Sequence, residues 1–329
     1  MGFFCCISNC YMLTAVVVGA IIYILNYFRP GRCDSKARLD GRTAIVTGAN
    51  TGIGKETVKD FVNRGATVIL ACRTISKGED AKKDILADTG ASPDKIHVRQ
   101  LDLGSLKSVR KFTEEFLAEF PKLHILVNNA GVMMCPYSLT EDGFEQQFGV
   151  NHLGHFALTN LLLPRIKESG PKTRIVNLSS LGHKSFAYFK MNDLLWKENK
   201  YSDLYAYGQS KLCNVLFTKE LHKRLADTDI TVYAVHPGAV ATDLMRHYPK
   251  LQAVLRIIYP YGLNLFVKMP KDGAQTSIYC SVQEGIENLS GEYFADCARE
   301  RSHKWSYDVG KQQELWKVSE EMTNITYPF

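Results

Sequence analysis

The stretch Thr47–Gly54, TGANTGIG, decides how this chain is expected to fold. It follows a short apolar run, Arg42–Thr47, and opens an amphipathic stretch, Gly54–Arg64. Glycines at this spacing allow a tight turn, and they let backbone N–H groups approach a pyrophosphate at the N-terminus of the helix. A strand, a glycine turn and a helix in this order begin a βαβ unit, which is the context that makes such a motif informative.

Short apolar runs continue to alternate with amphipathic stretches along the rest of the chain. Strands are expected at Arg42–Thr47, Thr67–Cys72, Lys95–Leu101, Leu123–Asn128, Thr173–Ser179, Thr231–His236 and Gly291–Ala295. Helices are expected at Gly54–Arg64, Ser105–Phe120, Phe144–Lys167 and Leu204–Ala226. Nearly continuous apolar strands are typical of a parallel sheet buried on both faces. The pattern predicts an α/β fold with a Rossmann-type, doubly wound, parallel seven-stranded sheet.

Composition limits the class of protein. The chain has 329 residues, of which 45% are hydrophobic and 22% charged, as in globular proteins. Its net charge of +6 is mild and scattered, so we expect no nucleic-acid partner. The nine cysteines include no CxxC pair, which argues against a disulfide framework and a zinc site and suits a reducing compartment. His152 and His155 have no ligand neighbours at suitable spacing, so no metal is expected.

The N-terminal segment has the character of a membrane anchor. Residues 1–28 contain no Asp, Glu, Lys or Arg, and the run Tyr11–Phe28 is apolar or weakly polar throughout. As a helix, these residues would span ~27 Å, about one hydrocarbon core. A cleaved signal peptide is the alternative, but it requires a basic start and a small-residue cleavage site, which are both missing here. The sequence therefore predicts an uncleaved transmembrane helix over residues 1–28.

Basic residues after this segment set the expected topology. Residues 29–40 form a linker that carries Arg29, Arg32, Lys36 and Arg38. The positive-inside rule then leaves the C-terminal body in the cytosol. Residues 41–329 contain no linker-like interruption and are expected to form a single catalytic domain. Residues 243–290 are less regular, and we expect a substrate flap there, either mobile or close to the membrane.

The end of the second strand bears on the choice of cofactor. An NAD site usually has an acidic residue there for the ribose 2′-hydroxyl, but this chain has Ala71-Cys72-Arg73. A guanidinium can pair with a 2′-phosphate, so the residues favour NADP(H). The alternative is that Arg73 is a solvated loop residue.

Further residues at the ends of strands are expected to contact the dinucleotide. Asp102, after the third strand, can accept from the adenine amino group or cap the next helix. Backbone at Val240 and the hydroxyl of Thr242 can hold the nicotinamide carboxamide, although Thr242 could instead be a helix cap. The complete set of expected cofactor contacts is Gly48, Asn50, Thr51, Gly52, Ile53, Gly54, Arg73, Asp102, Asn129, Ala130, Gly131, Tyr207, Lys211, Pro237, Gly238, Val240 and Thr242.

Tyr207 and Lys211 are the expected centre of the chemistry. They are four residues apart, so they share one face of a helix. Hydride transfer to a carbonyl carbon needs a proton donor at the oxygen, and a nearby ammonium is expected to lower the pKa of a phenol. Ser180 follows the fifth strand and is expected to bind the same substrate oxygen, while Asn151 is expected to order a water beside Lys211. Tyr205 and Ser179 are less suitable neighbours, because Gln209 gives Tyr205 no charged partner and strand alternation turns Ser179 into the sheet.

These motifs, in this order, resemble the short-chain dehydrogenase/reductase family over about residues 40–300. A closer resemblance is to the membrane-anchored, NADP-linked retinol dehydrogenases of the endoplasmic reticulum. It rests on TGANTGIGK (47–55), ACR (71–73), NAGVMMCP (129–136), VNHLGHF (150–156), LSSLGH (178–183) and YAVHPG (233–238).

The resemblance implies a membrane-bound enzyme that reduces retinal to retinol with NADPH. It implies the catalytic set Asn151, Ser180, Tyr207 and Lys211, with Ser180 on the substrate. It also implies a single-pass protein of the endoplasmic reticulum with its catalytic domain in the cytosol, and a possible homodimer through the helices that carry Asn151 and Tyr207. A steroid, sterol or lipid-aldehyde reductase of the same family is the alternative, and a non-enzymatic membrane scaffold is a more distant one.

Overall fold

The computed structural model describes residues 31–240 and 267–329. The predicted anchor (1–28) and residues 243–266 of the predicted flap lie outside the described residues. Within the described ranges, no helix has the length and apolar character needed to cross a bilayer.

The core of the fold is one twisted sheet. Its strands are β1 Thr43–Thr47, β2 Thr67–Cys72, β3 Ile96–Gln100, β4 Ile125–Asn128, β5 Thr173–Leu178, β6 Ile230–His236, β7 Tyr293–Ala295 and β8 Ala298–Glu300. Their order across the sheet is β3-β2-β1-β4-β5-β6-β7-β8. All neighbouring pairs are parallel except β7 and β8. This is the doubly wound α/β arrangement that the sequence predicts.

Within residues 31–240 and 267–329 the sheet has eight strands, so the predicted number of seven is wrong. The extra strand, β8, pairs antiparallel with β7 at the sheet edge. A two-residue turn joins them, in which Asp296 and Cys297 have φ values of 48° and 58°. All three residues of β8 are exposed, so this strand lacks the apolar pattern from which the other seven are recognised.

Helices cover both faces of the sheet. The longer ones are α1 Gly52–Asn63, α2 Ile75–Thr89, α3 Leu106–Glu119, α4 Gly154–Glu168, α5 Asp203–Arg224, α6 Gln275–Val282 and α7 Val309–Thr323. Short helical turns lie at Pro93–Lys95, Gln146–Phe148, Gly182–Ser185, Met191–Asp193, Pro270–Gly273, Glu287–Leu289 and Lys304–Tyr307. A π-helical segment, Gly149–Leu153, leads into α4, so the single helix predicted over Phe144–Lys167 consists of three consecutive segments.

Two apolar layers hold the helices to the sheet. One layer includes Phe61 of α1, Ile85 of α2 and Ile278 of α6, all of which are buried. The other layer lies on the opposite face and includes Phe112 of α3, Phe156 of α4 and Trp316 of α7. Helix α6 lies within the range of the predicted flap, 243–290, and its Ile278 is buried in this core.

Candidate active site

The site lies where the winding of the sheet changes direction. From β1 the chain builds outward through β2 to β3, and then returns to place β4 on the other side of β1. The carboxyl ends of β1 and β4 therefore border a crevice, which is where open α/β sheets bind their ligands. The glycine turn follows β1 and Asn129–Gly131 follows β4, so both lie at this crevice.

The two turns are in direct contact. The amide of Asn129 donates to the carbonyl of Thr47 over 2.7 Å, and the backbone N–H of Ala130 donates to the Thr47 hydroxyl over 2.9 Å. Gly48 has a φ of +63°, and a Cβ built on it would lie 2.8 Å from the Cα of Ala130. A Cβ on Gly54 would lie 2.6 Å from the carbonyl oxygen of Gly48. Only glycine fits at these two positions, so the turn presents bare backbone.

This turn suits the pyrophosphate of a dinucleotide. It opens α1, whose first turn contains no acidic residue that would repel an anion. Gly52 also has a positive φ, of 57°. Asn50, Thr51 and Ile53 complete the turn; Thr51 is exposed and the other two are partly buried.

The remaining cofactor candidates lie around the same edge of the sheet. Arg73 is exposed directly after β2, and its carbonyl accepts from the Gln100 side chain. The carboxylate of Asp102 accepts from the backbone N–H of Gly104 over 2.9 Å. It does not cap α3, because Ser105 does so by accepting from the N–H of Ser108.

The segment after β6 lies near the glycine turn, with the Pro270–Gly273 turn in contact with both. Pro237 and Gly238 are partly buried, and Val240 pairs with Lys268 as an isolated bridge. A Cβ on Gly273 would lie 2.6 Å from the Val240 side chain and 3.4 Å from that of Ile53. Thr242 lies outside the described residues.

Helix α5 carries the two expected catalytic side chains on one face. Ser202 caps the helix by accepting from the N–H of Tyr205. Tyr207 and Lys211 are both buried, and Lys211 Nζ lies 5.8 Å from the centre of the Tyr207 ring. Lys211 Nζ also donates to the carbonyl of Leu178, at the end of β5, over 3.1 Å. This hydrogen bond joins the carboxyl end of β5 to the first half of α5.

Ser180 and Tyr207 meet around a glycine. A Cβ built on Gly182 would lie 3.1 Å from Cε1 of Tyr207 and 3.5 Å from Oγ of Ser180. The Ser180 hydroxyl accepts from the N–H of Gly182 over 3.1 Å, and it also interacts with the phenol of Tyr207. Gly182 is therefore a residue of the candidate site that the sequence-based predictions do not include. Its signal was present, because it lies in the quoted motif LSSLGH.

Asn151 lies in the π-helical segment before α4. Its amide donates to the carbonyl of Val132 and to Ser210 Oγ, both over 2.9 Å, and its Oδ1 accepts from the N–H of Val132 over 2.8 Å. A Cβ on Gly131 would lie 3.1 Å from Asn151 Oδ1 and 3.5 Å from Lys211 Nζ. Asn151 therefore fixes the loop after β4 against α5, with its oxygen close to Lys211.

Burial shifts the pKa values of Tyr207 and Lys211, and for Tyr207 the direction is opposite to the one expected from the sequence. It raises the pKa of Tyr207 to about 12, and the interaction with Ser180 only partly offsets this. It lowers the pKa of Lys211 to about 8. The pKa of the phenol is therefore raised and not lowered as expected, because loss of hydration on burial is the largest influence on it. At neutral pH, Tyr207 carries its proton and can donate it.

The two neighbours set aside on sequence grounds have other roles. Ser179 is buried and its hydroxyl donates to the carbonyl of Lys211 over 2.8 Å. Tyr205 is 46% exposed at the start of α5. Neither belongs to the group formed by Ser180, Tyr207 and Lys211, as the sequence predicts.

The histidine pair lies on the buried side of the site. His155 Nε2 lies 2.9 Å from the Thr47 hydroxyl and its Nδ1 lies 3.0 Å from the carbonyl oxygen of Asn151. His152 points to α7 instead, where its Nε2 lies 2.9 Å from Ser319 Oγ. In the described residues, no group of three or more His, Cys, Asp or Glu side chains is arranged to hold a metal ion.

Comparison with known proteins agrees with this geometry. The family model described as short chain dehydrogenase matches residues 42–191 and 196–252. The chain is 50% identical to retinol dehydrogenase 11 of Mus musculus over 299 residues, which cover 90% of each protein. It is 49% identical to retinol dehydrogenase 12 of Homo sapiens over 304 residues, which cover 92% of this chain and 93% of that protein.

Solved structures show the same fold. An uncharacterized protein from Mycobacterium paratuberculosis is 35% identical, with a TM-score of 0.72, over 91% of this chain and all of that one. The RhlG/NADP active-site complex of Pseudomonas aeruginosa has a TM-score of 0.62 at 24% identity, over 78% of this chain and 95% of that one. Sheet order, site geometry and sequence similarity thus agree, and this chain belongs to the short-chain dehydrogenase family of oxidoreductases.

Proposed function

We propose that this protein is an NADPH-dependent oxidoreductase that interconverts retinal and retinol. The observation that carries the proposal is the meeting of Ser180 and the protonated Tyr207 around Gly182, beside the crevice between β1 and β4. Two hydroxyl groups at this place can bind one carbonyl oxygen. The sequence identity of about 50% to proteins named retinol dehydrogenases supports a retinoid as the substrate.

Each side chain of the site would have a separate role in carbonyl reduction. The nicotinamide cofactor, when bound, supplies the hydride. Ser180 orients the substrate oxygen, and Tyr207 donates its proton to that oxygen as negative charge develops there. Lys211 is then well placed to restore the proton, since its pKa of about 8 makes it the more acidic of the two buried groups. Asn151 holds the loop beside Lys211 in place.

The same residues fit a dinucleotide. The glycine turn, with Gly48, Gly52 and Gly54, would receive the pyrophosphate, and Asp102 would accept from the adenine amino group. Arg73 is exposed beyond β2, and its guanidinium would pair with a 2′-phosphate, which favours NADPH over NADH. Backbone after β6, at Pro237, Gly238 and Val240, would border the nicotinamide.

We also propose that residues 1–28 anchor the protein in the membrane of the endoplasmic reticulum, with the catalytic domain in the cytosol. The support is the uncharged apolar run followed by basic residues. Such an anchor would bring an apolar aldehyde from the bilayer within reach of the site.

A homodimer through α4 and α5 stays a prediction, and the structure constrains it. The C-terminal helix α7 packs on both helices, because the Trp316 ring contacts those of Phe156 and Phe217 at centroid distances of 5.0 and 5.7 Å. Pairing through this face would have to accommodate or displace α7.

The deciding experiment is an assay of detergent-solubilised protein with all-trans-retinal and NADPH. We expect retinol to form, and we expect NADH to support much slower turnover. A panel of steroids, sterols and alkenals tests the alternative substrates under the same conditions. Faster turnover of a steroid than of every retinal isomer would replace the retinoid assignment, and no NADPH oxidation with any carbonyl would refute the reductase itself.

A further inference from the structure

We infer that His183 and His236 are positioning residues that hold the turn of Ser180 in place from its two sides. Both histidines lie in motifs quoted for the family resemblance, LSSLGH and YAVHPG, and neither takes part in the chemistry described above. Their effect on catalysis rests on the proposed function, but the hydrogen bonds themselves do not.

His183 holds the carbonyl side of the turn. Its Nδ1 lies 2.6 Å from the carbonyl oxygen of Ser180, and its Nε2 accepts from the backbone N–H of His303 over 3.1 Å. A carbonyl can only accept, so Nδ1 carries the hydrogen and Nε2 is bare. The ring is completely buried against Tyr293, with centroids 4.7 Å apart. One imidazole thus ties the catalytic serine to the segment before α7.

His236 holds the amide side of the turn. It is the last residue of β6, next to β5 in the sheet, and its Nδ1 accepts from the backbone N–H of Leu181 over 3.2 Å. In the neutral ring the hydrogen is then on Nε2, so the two histidines have opposite tautomers. Leu181 and Gly182 follow Ser180 directly. One backbone group of each of these three residues is therefore bound by a side chain: the Ser180 carbonyl by His183, the Leu181 N–H by His236 and the Gly182 N–H by the Ser180 hydroxyl.

This arrangement leaves the proton of Ser180 available. The Ser180 oxygen accepts from Gly182 N–H over 3.1 Å, and its own hydrogen is directed to the Tyr207 phenol or, once a carbonyl is bound between them, to the substrate oxygen. A turn that shifted by a fraction of an ångström would misdirect this hydrogen and press Gly182 against the Tyr207 ring. Positioning errors lower the catalytic rate, by up to ~10²-fold for 1 Å. Because Ser180 is not among the expected cofactor contacts, cofactor affinity should not change.

Both rings are neutral at physiological pH. Burial lowers the pKa of His183 to about 4, assisted by Lys184 and by His303. Burial also lowers the pKa of His236 to about 4; Lys268, His183 and Lys184 act in the same direction, and Asp296 acts against them. Each ring therefore keeps one bare nitrogen, as an acceptor from a backbone N–H requires.

The first test determines which ring nitrogen of each histidine carries the hydrogen, and it requires no enzymatic activity. In ¹H–¹⁵N spectra of ¹⁵N-histidine-labelled protein, His183 should be protonated at Nδ1 and His236 at Nε2. Signals are assigned by their loss in His183→Asn and His236→Asn variants. The opposite tautomer at either ring would overturn its assigned hydrogen bond, even if the protein reduced no carbonyl at all. Inactivity of the wild-type protein with correct tautomers would instead contradict the proposed function alone.

The second test separates positioning from general stability. Leucine at either position removes the bond, and we expect kcat to fall about tenfold with the Kd of NADPH unchanged. Asparagine can place an amide donor near the His183 Nδ1 position or an oxygen acceptor near the His236 Nδ1 position, so kcat should recover to within about threefold of wild type. Full kcat in both leucine variants, or no recovery with asparagine, would overturn the inference.

His124 provides a matched control. It is also a buried histidine with a pKa of about 4, and its Nδ1 accepts from the backbone N–H of Thr43 over 3.0 Å, but at the opposite end of the strands. His124→Leu should lower the melting temperature and leave kcat unchanged. An equal loss of kcat in this variant would show that the effect at His183 and His236 is only destabilisation.

Discussion

Lys211 Nζ lies 5.8 Å from the centre of the Tyr207 ring, one helical turn away, and both groups are buried. Burial moves their pKa values in opposite directions, to about 12 for the phenol and about 8 for the ammonium. The lysine is therefore the group that releases a proton first as the pH rises. In the reduction that we propose, the phenol starts with its proton and the lysine controls its resupply.

Replacing Tyr207 by Phe should nearly abolish reduction while leaving the fold intact. The ring still fills the space beside Gly182, but the proton donor is gone, so we expect kcat to fall at least ~10³-fold. The Kd of NADPH, measured by fluorescence titration, should stay within about twofold of the wild-type value. Tyr205→Phe is the matched control, because Tyr205 is 46% exposed and should retain full activity. Full turnover by the Tyr207 variant would remove this residue from its role.

The pH dependence of kcat should report Lys211. Because burial lowers the pKa of this ammonium to about 8, the protonated form is lost above that pH and kcat should decline there. Lys211→Arg keeps a positive charge up to pH 10, so this variant, although slower at pH 7, should show no alkaline decline. The measurement is kcat at saturating NADPH between pH 6 and 10. An unchanged alkaline limb in the arginine variant would show that another group is titrating.

The parts of the site with a fixed spacing could be predicted from the sequence. Tyr207 and Lys211 share a face because helical geometry places residues four apart together, and the glycine turn follows from a strand, three glycines and a helix. The apolar strands of a parallel sheet were recognisable for the same reason. β8 was not, because its three residues are exposed and polar or small.

Contacts between distant segments could not be predicted in this way. The motif LSSLGH contains Gly182, but only the fold shows that a side chain there would meet the Tyr207 ring. The pKa shifts were missed because they depend on burial, whereas the sequence reveals only that Lys211 is near Tyr207. Helix α7 was not expected, and its packing on α5 becomes visible only in three dimensions.

Arg73 should determine the preference between the two nicotinamide cofactors. A charge-assisted bond to the 2′-phosphate contributes ~1.5–3 kcal/mol, so Arg73→Ala should raise the KM for NADPH by about ten- to a hundredfold. The KM for NADH should remain close to its wild-type value, since NADH has no such phosphate. Arg301→Ala is a control at another exposed arginine, close to β8. An NADPH preference that survives in the Arg73 variant would assign that role elsewhere.

A methyl group at Gly182 should displace the catalytic phenol. The added Cβ would lie 3.1 and 3.2 Å from two carbons of the Tyr207 ring, which is closer than ordinary contact, and the ring must move. We expect Gly182→Ala to lower kcat about tenfold with little change in the KM for NADPH. Gly310→Ala, near the start of α7, would place its methyl group 3.3 Å from one carboxylate oxygen of the exposed Asp308, a side chain that can move aside, so this variant should keep the wild-type kcat. Equal kcat for both variants would mean that the Tyr207 ring tolerates displacement.

Trp316 should be a major contributor to the stability of helices α4 and α5. Its ring is buried in α7, contacts Phe156 of α4 and Phe217 of α5, and lies under the guanidinium of Arg224 at 4.3 Å. Trp316→Ala should lower the free energy of unfolding by ~3–5 kcal/mol, as for large aromatic residues in cores. Val309→Ala, at the exposed start of the same helix, should change it by less than ~0.5 kcal/mol. Urea unfolding of the detergent-solubilised variants measures both values, and similar midpoints would show that α7 contributes little to holding α4 and α5 together.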